Sequence, residues 1–156
     1  MKKPWNVINL PVYSLVTHDG QTYNMNICTY VSAISMQPKL YTIAVYEKTK
    51  SLQNMLESET AVLQILHKNH SSLVKILGKK SGLLYDKLKY LHKKNLLTDW
   101  KGFKVLKNTC SLLLLYKISY QVTGDHHLFI FEVRSYQSFS DQVLTTGYLK
   151  ELSVLS

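Results

Sequence analysis

The sequence lacks most of the features that identify a function at sight. Its 156 residues include only two cysteines. Cys28 and Cys110 lie far apart and match no C-x-x-C metal or redox spacing, which points to reduced thiols in a cytoplasmic protein. The longest apolar run, Leu112 to Leu115 with Tyr116 after it, is far too short to span a bilayer. The amino-terminal stretch MKKPWNVINLPVYSL has two lysines but no clean apolar segment. Trp5-Asn6 and Asn9 interrupt it and Pro4 and Pro11 bracket it, so no signal peptide is read there. His67, His70 and His92 have no regular metal-ligand spacing and no evident carboxylate partner, and no metal is assigned to them. No internal repeat is visible. Acidic residues are also scarce: ten against nineteen basic ones, a formal charge of +9. Such a balance calls for an anionic partner, which leaves nucleic acid, a membrane surface or a phosphorylated small molecule.

What is present describes a folded, sheet-rich chain. A hydrophobic content of 46% with 11% aromatics excludes disorder, and the length makes one domain over residues 1–156 the default. Eleven tyrosines, many in β-favouring runs, tilt the class toward sheet. Val12–Thr17 alternates as a strand does, and His18-Asp19-Gly20-Gln21 offers the Asp-Gly pair of a tight hairpin, with Thr22 onward returning. Leu40–Tyr46 reads as a strand buried on both faces or nearly so, and Ala61–Leu66 as another of that kind. Thr109–Gln121, a turn at Val122–Asp125 and His126–Arg134 form a long antiparallel hairpin, and Val143–Leu149 adds a short strand. About seven strands with interposed helices predict a mainly β protein, a closed or nearly closed β-barrel that hides its edges.

Residues 67–108 differ in character. Eleven lysines fall between Lys68 and Lys107, with helical stretches at Ser71–Leu77, ending on Gly78, and at Tyr85–Leu91, where Leu84, Leu88 and Leu91 share a face. This basic helical insert reads as a solvated lysine face over a small apolar stripe, or as a surface for RNA or DNA.

The most informative stretch is Asn24–Leu52. Asn24, Asn26, Thr29, Ser32 and Ser35 recur along an otherwise apolar β-favouring run that Met36-Gln37-Pro38-Lys39 interrupts. After the strand Leu40–Tyr46, Lys48-Thr49-Lys50-Ser51 opens a helix in which Leu52, Met55 and Leu56 share an apolar face. A helix start with hydroxyls and lysines is either an ordinary cap or an anion site, because its first N–H groups lack helical partners.

Three separate stretches together resemble the flavin reductase-like family, an FMN-binding split β-barrel. The first is Asn24–Leu40, ending in Ser35-Met36-Gln37-Pro38-Lys39-Leu40. The second is Lys48-Thr49-Lys50-Ser51-Leu52, similar to the family's hydroxyl-x-hydroxyl helix start. The third is Gly124-Asp125-His126-His127-Leu128-Phe129-Ile130-Phe131-Glu132-Val133, close to its Gly-Asp-His signature and the following strand. Order and spacing agree over roughly residues 12–135. The resemblance implies that Asn26, Ile27, Cys28, Thr29 and Tyr30 line the flavin ring and ribityl chain, and that Lys48, Thr49, Lys50 and Ser51 hold the phosphate. His126 would lie near the flavin or the nicotinamide, the alternative being a turn histidine bonded to Asp125 or the backbone. It further implies FMN as cofactor, with FAD as the other flavin, and NAD(P)H as co-substrate. Its partners would be a second copy in a homodimer and a flavin-accepting oxygenase or other electron acceptor. The chain departs from the family at Met25, Asn26 and Ile27, and at Cys28-Thr29-Tyr30 in place of small residues. The expected function is NAD(P)H-dependent flavin reduction. A flavin-binding electron carrier without NAD(P)H turnover and a basic nucleic-acid-binding barrel are the alternatives.

Overall fold

Alternation along Val12–Thr17 becomes strand β1 (Tyr13–His18), and the Asp-Gly turn returns the chain into β2 (Tyr23–Met25), in a computed structural model that describes residues 1–156. The hairpin pairs Val16 with Met25. The remaining strands are β3 (Val31–Ser35), β4 (Leu40–Tyr46), β5 (Thr60–Ile65), β6 (Leu97–Trp100), β7 (Phe103–Leu106), β8 (Ser111–Val122) and β9 (His126–Ser138). The helices are α1 (Lys50–Glu57), α2 (Val74–Gly78), α3 (Lys87–Lys93) and α4 (Thr146–Glu151), with a 3-10 turn at Lys68–Leu73 leading into α2.

Seven strands form one antiparallel sheet in the order β2-β1-β5-β8-β9-β4-β3. Its two outer strands both come from residues 23–35. The expected continuous strand Asn24–Ser35 is therefore divided: β2 bonds β1 at one edge and β3 bonds β4 at the other. Between them Cys28 exchanges two 2.9 Å hydrogen bonds with Tyr13 of β1, and two residues on the carbonyl of Tyr30 accepts from Ala44 N–H of β4 at 3.0 Å. The segment thus bridges both edges without a continuous ladder, and the barrel stays open along it.

The sheet is covered on both sides. One core packs Leu15, Ile43, Leu63, Leu115, Phe129 and Phe131 with Leu52 and Met55 of α1. The other packs Val12, Val16, Met25, Val62 and Leu66 of the opposite face against Leu73, Val74, Leu77, Leu91, Phe103, Val105 and Leu106. That explains the unbroken burial of Ser14–Thr17 and of Ala61–Gln64, which face apolar material on both sides. The lysine-rich segment is accordingly a cover for the sheet, each buried Leu or Val contributing about 1.5–3 kcal/mol.

Several expectations are corrected. In β4 only Ile43 and Val45 are buried, because the face carrying Ala44 and Tyr46 is turned to an open cleft. Leu84 is 91% exposed and stands outside the apolar face that Leu88 and Leu91 form, since Asp86 caps α3 after it by accepting from Lys89 N–H at 3.1 Å. The tail at Val143–Leu149 makes isolated bridges, Val143 with His67 and Thr145 with Pro11, and then turns helical. Thr145 caps that helix through its hydroxyl, which accepts from Tyr148 N–H at 3.2 Å.

Candidate functional site

The site is built at the start of α1. Thr49 has an extended backbone, and its hydroxyl accepts from Leu52 N–H at 3.2 Å while donating to the Tyr46 carbonyl at 2.7 Å. The cap thereby locks the end of β4 to the first turn of α1. The amides of Lys50 and Ser51 precede the first intrahelical bond, from Gln53 to Thr49, and remain as positive ends of aligned dipoles. No acidic residue occupies that first turn. Ser51 is fully buried and its hydroxyl accepts from the Asn24 side-chain amide at 3.1 Å, leaving its own proton available. Lys50 is anchored by Asp19 at 3.2 Å. Asp19 also accepts from the amides of Thr22 and Gln21, and these backbone bonds, with Lys50 behind them, hold its carboxyl well below the usual carboxylate range.

Across the cleft lies the bridging segment. Asn26 is fixed by its side-chain oxygen, which accepts from Leu15 N–H at 2.7 Å. The Asn26 and Cys28 amides bond β1, whereas those of Ile27, Thr29 and Tyr30 have no acceptor within the chain. Burial pushes the Cys28 thiol up to about 12, so it stays protonated at neutral pH and is no nucleophile. At the far end the Tyr30 ring stands 5.2 Å from His126, whose other neighbour is Tyr46 at 5.4 Å. His126 Nδ1 meets Asp125 Oδ1 at 2.6 Å, and that contact is what lowers the Asp125 pKa. His126 is thus a turn histidine held by Asp125, and its ring also borders the cleft.

One cleft of about 490 Å³ takes in Asn26, Ile27, Cys28, Thr29 and Tyr30 on one wall, Lys48, Thr49, Lys50 and Ser51 on another, and His126 at the end. The volume falls in the usual range for small-molecule sites. Sequence reasoning missed the rest of the lining: Ala44, Tyr46, Leu77, the Gly78-Lys79-Lys80-Ser81-Gly82 strap that begins at the last residue of α2, and Lys87. Asn24 also reaches the cleft and ties it to Ser51. The two glycines around Lys-Lys-Ser are the signal that was available, since both press on the wall. A Cβ on Gly78 would lie 3.2 Å from Ile27, and one on Gly82 would lie 2.2 Å from the Asn24 side-chain oxygen. Lys87 is 5% exposed and donates to the carbonyls of Leu77 at 2.6 Å and Met25 at 2.9 Å, and burial lowers its pKa to about 8. Two of the insert histidines cap the 3-10 turn: His67 accepts from Asn69 N–H at 3.0 Å, and His70 accepts from His67 N–H at 3.0 Å and meets the Lys107 carbonyl at 2.9 Å.

The family described as "Flavin reductase like domain" matches residues 6–150. No curated protein sequence matches the chain. Three solved structures share the fold. The FMN-binding protein of Thermus thermophilus with bound p-hydroxybenzaldehyde is 16% identical, with 90% of this chain and 78% of that one covered at a TM-score of 0.78. The flavoredoxin of Methanosarcina acetivorans is 15% identical, with 92% and 77% covered at 0.77. The NADH:FAD oxidoreductase of Streptomyces globisporus C-1027, in complex with NAD and FAD fragments, is 14% identical, with 88% and 79% covered at 0.75. No helix of the chain is long and apolar enough to cross a membrane.

Proposed function

The chain belongs to the flavin reductase-like domain family of oxidoreductases, and from that premise we propose that its cleft binds FMN and that the enzyme passes hydride from NAD(P)H to the flavin. FAD is the other flavin the cleft would take. The carrying observation is that the α1 start and the segment Asn26–Tyr30 form opposing walls of one cleft without a single acidic lining residue. The residues fit the group. Lys50 and Ser51 amides, the Ser51 hydroxyl and Lys48 offer donors to a phosphate, and the unpaired amides of Ile27, Thr29 and Tyr30 offer donors to polar ring and ribityl atoms. FMN, when bound, supplies the redox chemistry itself, and the protein's part is to orient and shield it. Tyr30 and His126 would border the nicotinamide side.

That one structural neighbour is an FMN-binding protein and another an NADH:FAD oxidoreductase in complex with NAD and FAD fragments supports the choice of nucleotides. Exposed Ile34 on β3 and Ile118, Tyr120 and Val122 on the outer half of β8 support a homodimer. Reduced cysteines support the cytoplasm, where a flavin-accepting oxygenase or another acceptor would take the electrons. The purified protein should be yellow or take up FMN with a shift in its visible absorbance. Anaerobic NADH or NADPH should then bleach that absorbance. A protein that stays colourless in excess FMN would refute the reading, and one that binds FMN but resists both nicotinamides would be an electron carrier with Tyr30 closing the nicotinamide space.

A further inference from the structure

The cleft carries more positive charge than one phosphate needs. Five lysines line it and no carboxylate does. Lys50 is paired with Asp19, whereas Lys48, Lys79, Lys80 and Lys87 take part in none of the ion pairs of the chain, so four cations face the cleft uncompensated. A phosphate monoester brings about −1.5 to −2 at neutral pH, which leaves roughly half of that charge unanswered.

The surplus has a definite place. Lys79 and Lys80 sit on the strap between Gly78 and Gly82, and the strap is pinned at both ends. Gly78 lies against Ile27, and Gly82 lies against Asn24 and Lys50 so closely that no larger residue fits without displacement. Lys87 stands at the base of the strap. Its amino group, buried among carbonyls with no anion beside it, spends two of its three N–H groups on Leu77 and Met25. A buried ammonium held by carbonyls alone favours any anion that reaches its remaining N–H. Lys80 is parked over the Tyr85 ring at 4.4 Å, a contact that orients it without neutralising it.

We propose that the Gly78–Gly82 strap, with Lys79, Lys80 and the buried Lys87, is a second anion subsite of the cleft, taking a phosphate other than the one at the start of α1. The inference rests on the flavin reading, and it deepens that reading: the cleft prefers a nucleotide that carries an additional phosphate. That phosphate comes from one of two sources, the second phosphate of FAD relative to FMN or the extra phosphate of NADPH relative to NADH.

The test compares dissociation constants of FMN, FAD, NADH and NADPH for the wild type and for Lys79→Ala/Lys80→Ala. Both residues are exposed, so folding is not at stake. The double variant should lower either the FAD-over-FMN or the NADPH-over-NADH preference by about tenfold. A drop in the first ratio assigns the subsite to the flavin, and a drop in the second assigns it to the co-substrate. A Lys75→Ala/Lys93→Ala protein removes the same charge from exposed positions outside the cleft and should keep both ratios. Ratios that agree within about twofold between wild type and Lys79→Ala/Lys80→Ala overturn the proposal, as does an equal drop in the control. A wild type that takes up neither flavin fails the flavin reading itself, which is a separate and earlier result.

Discussion

Replacing Gly82 by alanine is the sharpest test of how the cleft is held together. The added Cβ would lie 2.2 Å from the Asn24 side-chain oxygen, 2.9 Å from its Cγ and 3.0 Å from the Lys50 Cβ. Asn24 cannot swing away freely, because it is 5% exposed and its amide donates to the fully buried Ser51 hydroxyl at 3.1 Å. Either the strap lifts or that hydrogen bond breaks, leaving a buried amide unsatisfied at a cost of about 1–3 kcal/mol. Taking about 2 kcal/mol, the melting temperature of a chain this size falls by roughly 4–8 °C. Circular dichroism on the ligand-free protein measures it, and FMN titration should show weaker binding because Lys50 and Ser51 move with the strap. Gly124 provides the control. Nothing lies within 4 Å of a Cβ there, so Gly124→Ala should stay within about 0.5 kcal/mol of wild type. In an Asn24→Ala background the same Gly82→Ala change should cost much less, since the clashing oxygen is gone. A Gly82→Ala protein that melts with the wild type would refute the close packing of strap and wall.

Thr49→Ala removes both the cap and the tie to Tyr46, and should cost about 1 kcal/mol of stability with a parallel loss of FMN affinity, whereas Thr49→Ser retains both hydrogen bonds and most of each property; equal urea midpoints for the two variants would contradict the capping role. Lys87 makes an alkaline prediction. Its folded pKa, about 8, lies below its ordinary 10.5, so between those values the unfolded chain binds the proton that the native one has released, and stability rises with pH. Measured against Lys87→Met across that window, the wild type should gain relative stability. A flat difference would mean that the ammonium is not desolvated.

What could be read in advance, and what could not, follows from the range of the interactions involved. Thr49 capping α1, the Asp-Gly hairpin and the Gly124-Asp125 turn are decided within four residues, and the local pattern shows them. The strands β6 and β7 were invisible inside the lysine-rich segment because four residues are too few for a period to register. Their turn is Lys101-Gly102 with both φ values positive, 50° and 83°, a two-residue hairpin turn without the usual Asn or Asp at its first position. Lys87 was unreadable for a different reason. A lysine among lysines suggests a solvated face, and only the fold brings the Met25 carbonyl, 62 residues away, to its amino group.

The bridging segment shows how the cleft keeps its backbone donors despite the departures from family pattern at Cys28 and Tyr30. Antiparallel pairing sends alternate N–H groups to opposite sides of a strand. Asn26 and Cys28 therefore spend theirs on β1, and Ile27 and Thr29 direct theirs away from it, into the gap where the sheet does not close. Donors that belong to the backbone persist whatever side chain stands above them. The residue types constrained along this segment are those that hold the backbone in place: Asn26, bonded to Leu15, and Asn24, bonded to Ser51. Substitutions at Cys28 or Tyr30 then act on the shape of the cleft and the approach of a co-substrate, and substitutions at Asn24 or Asn26 act on whether the donors are presented at all. On that division Asn26→Ala should weaken flavin binding more than Tyr30→Ala does, although Tyr30 has the larger side chain and the greater exposure.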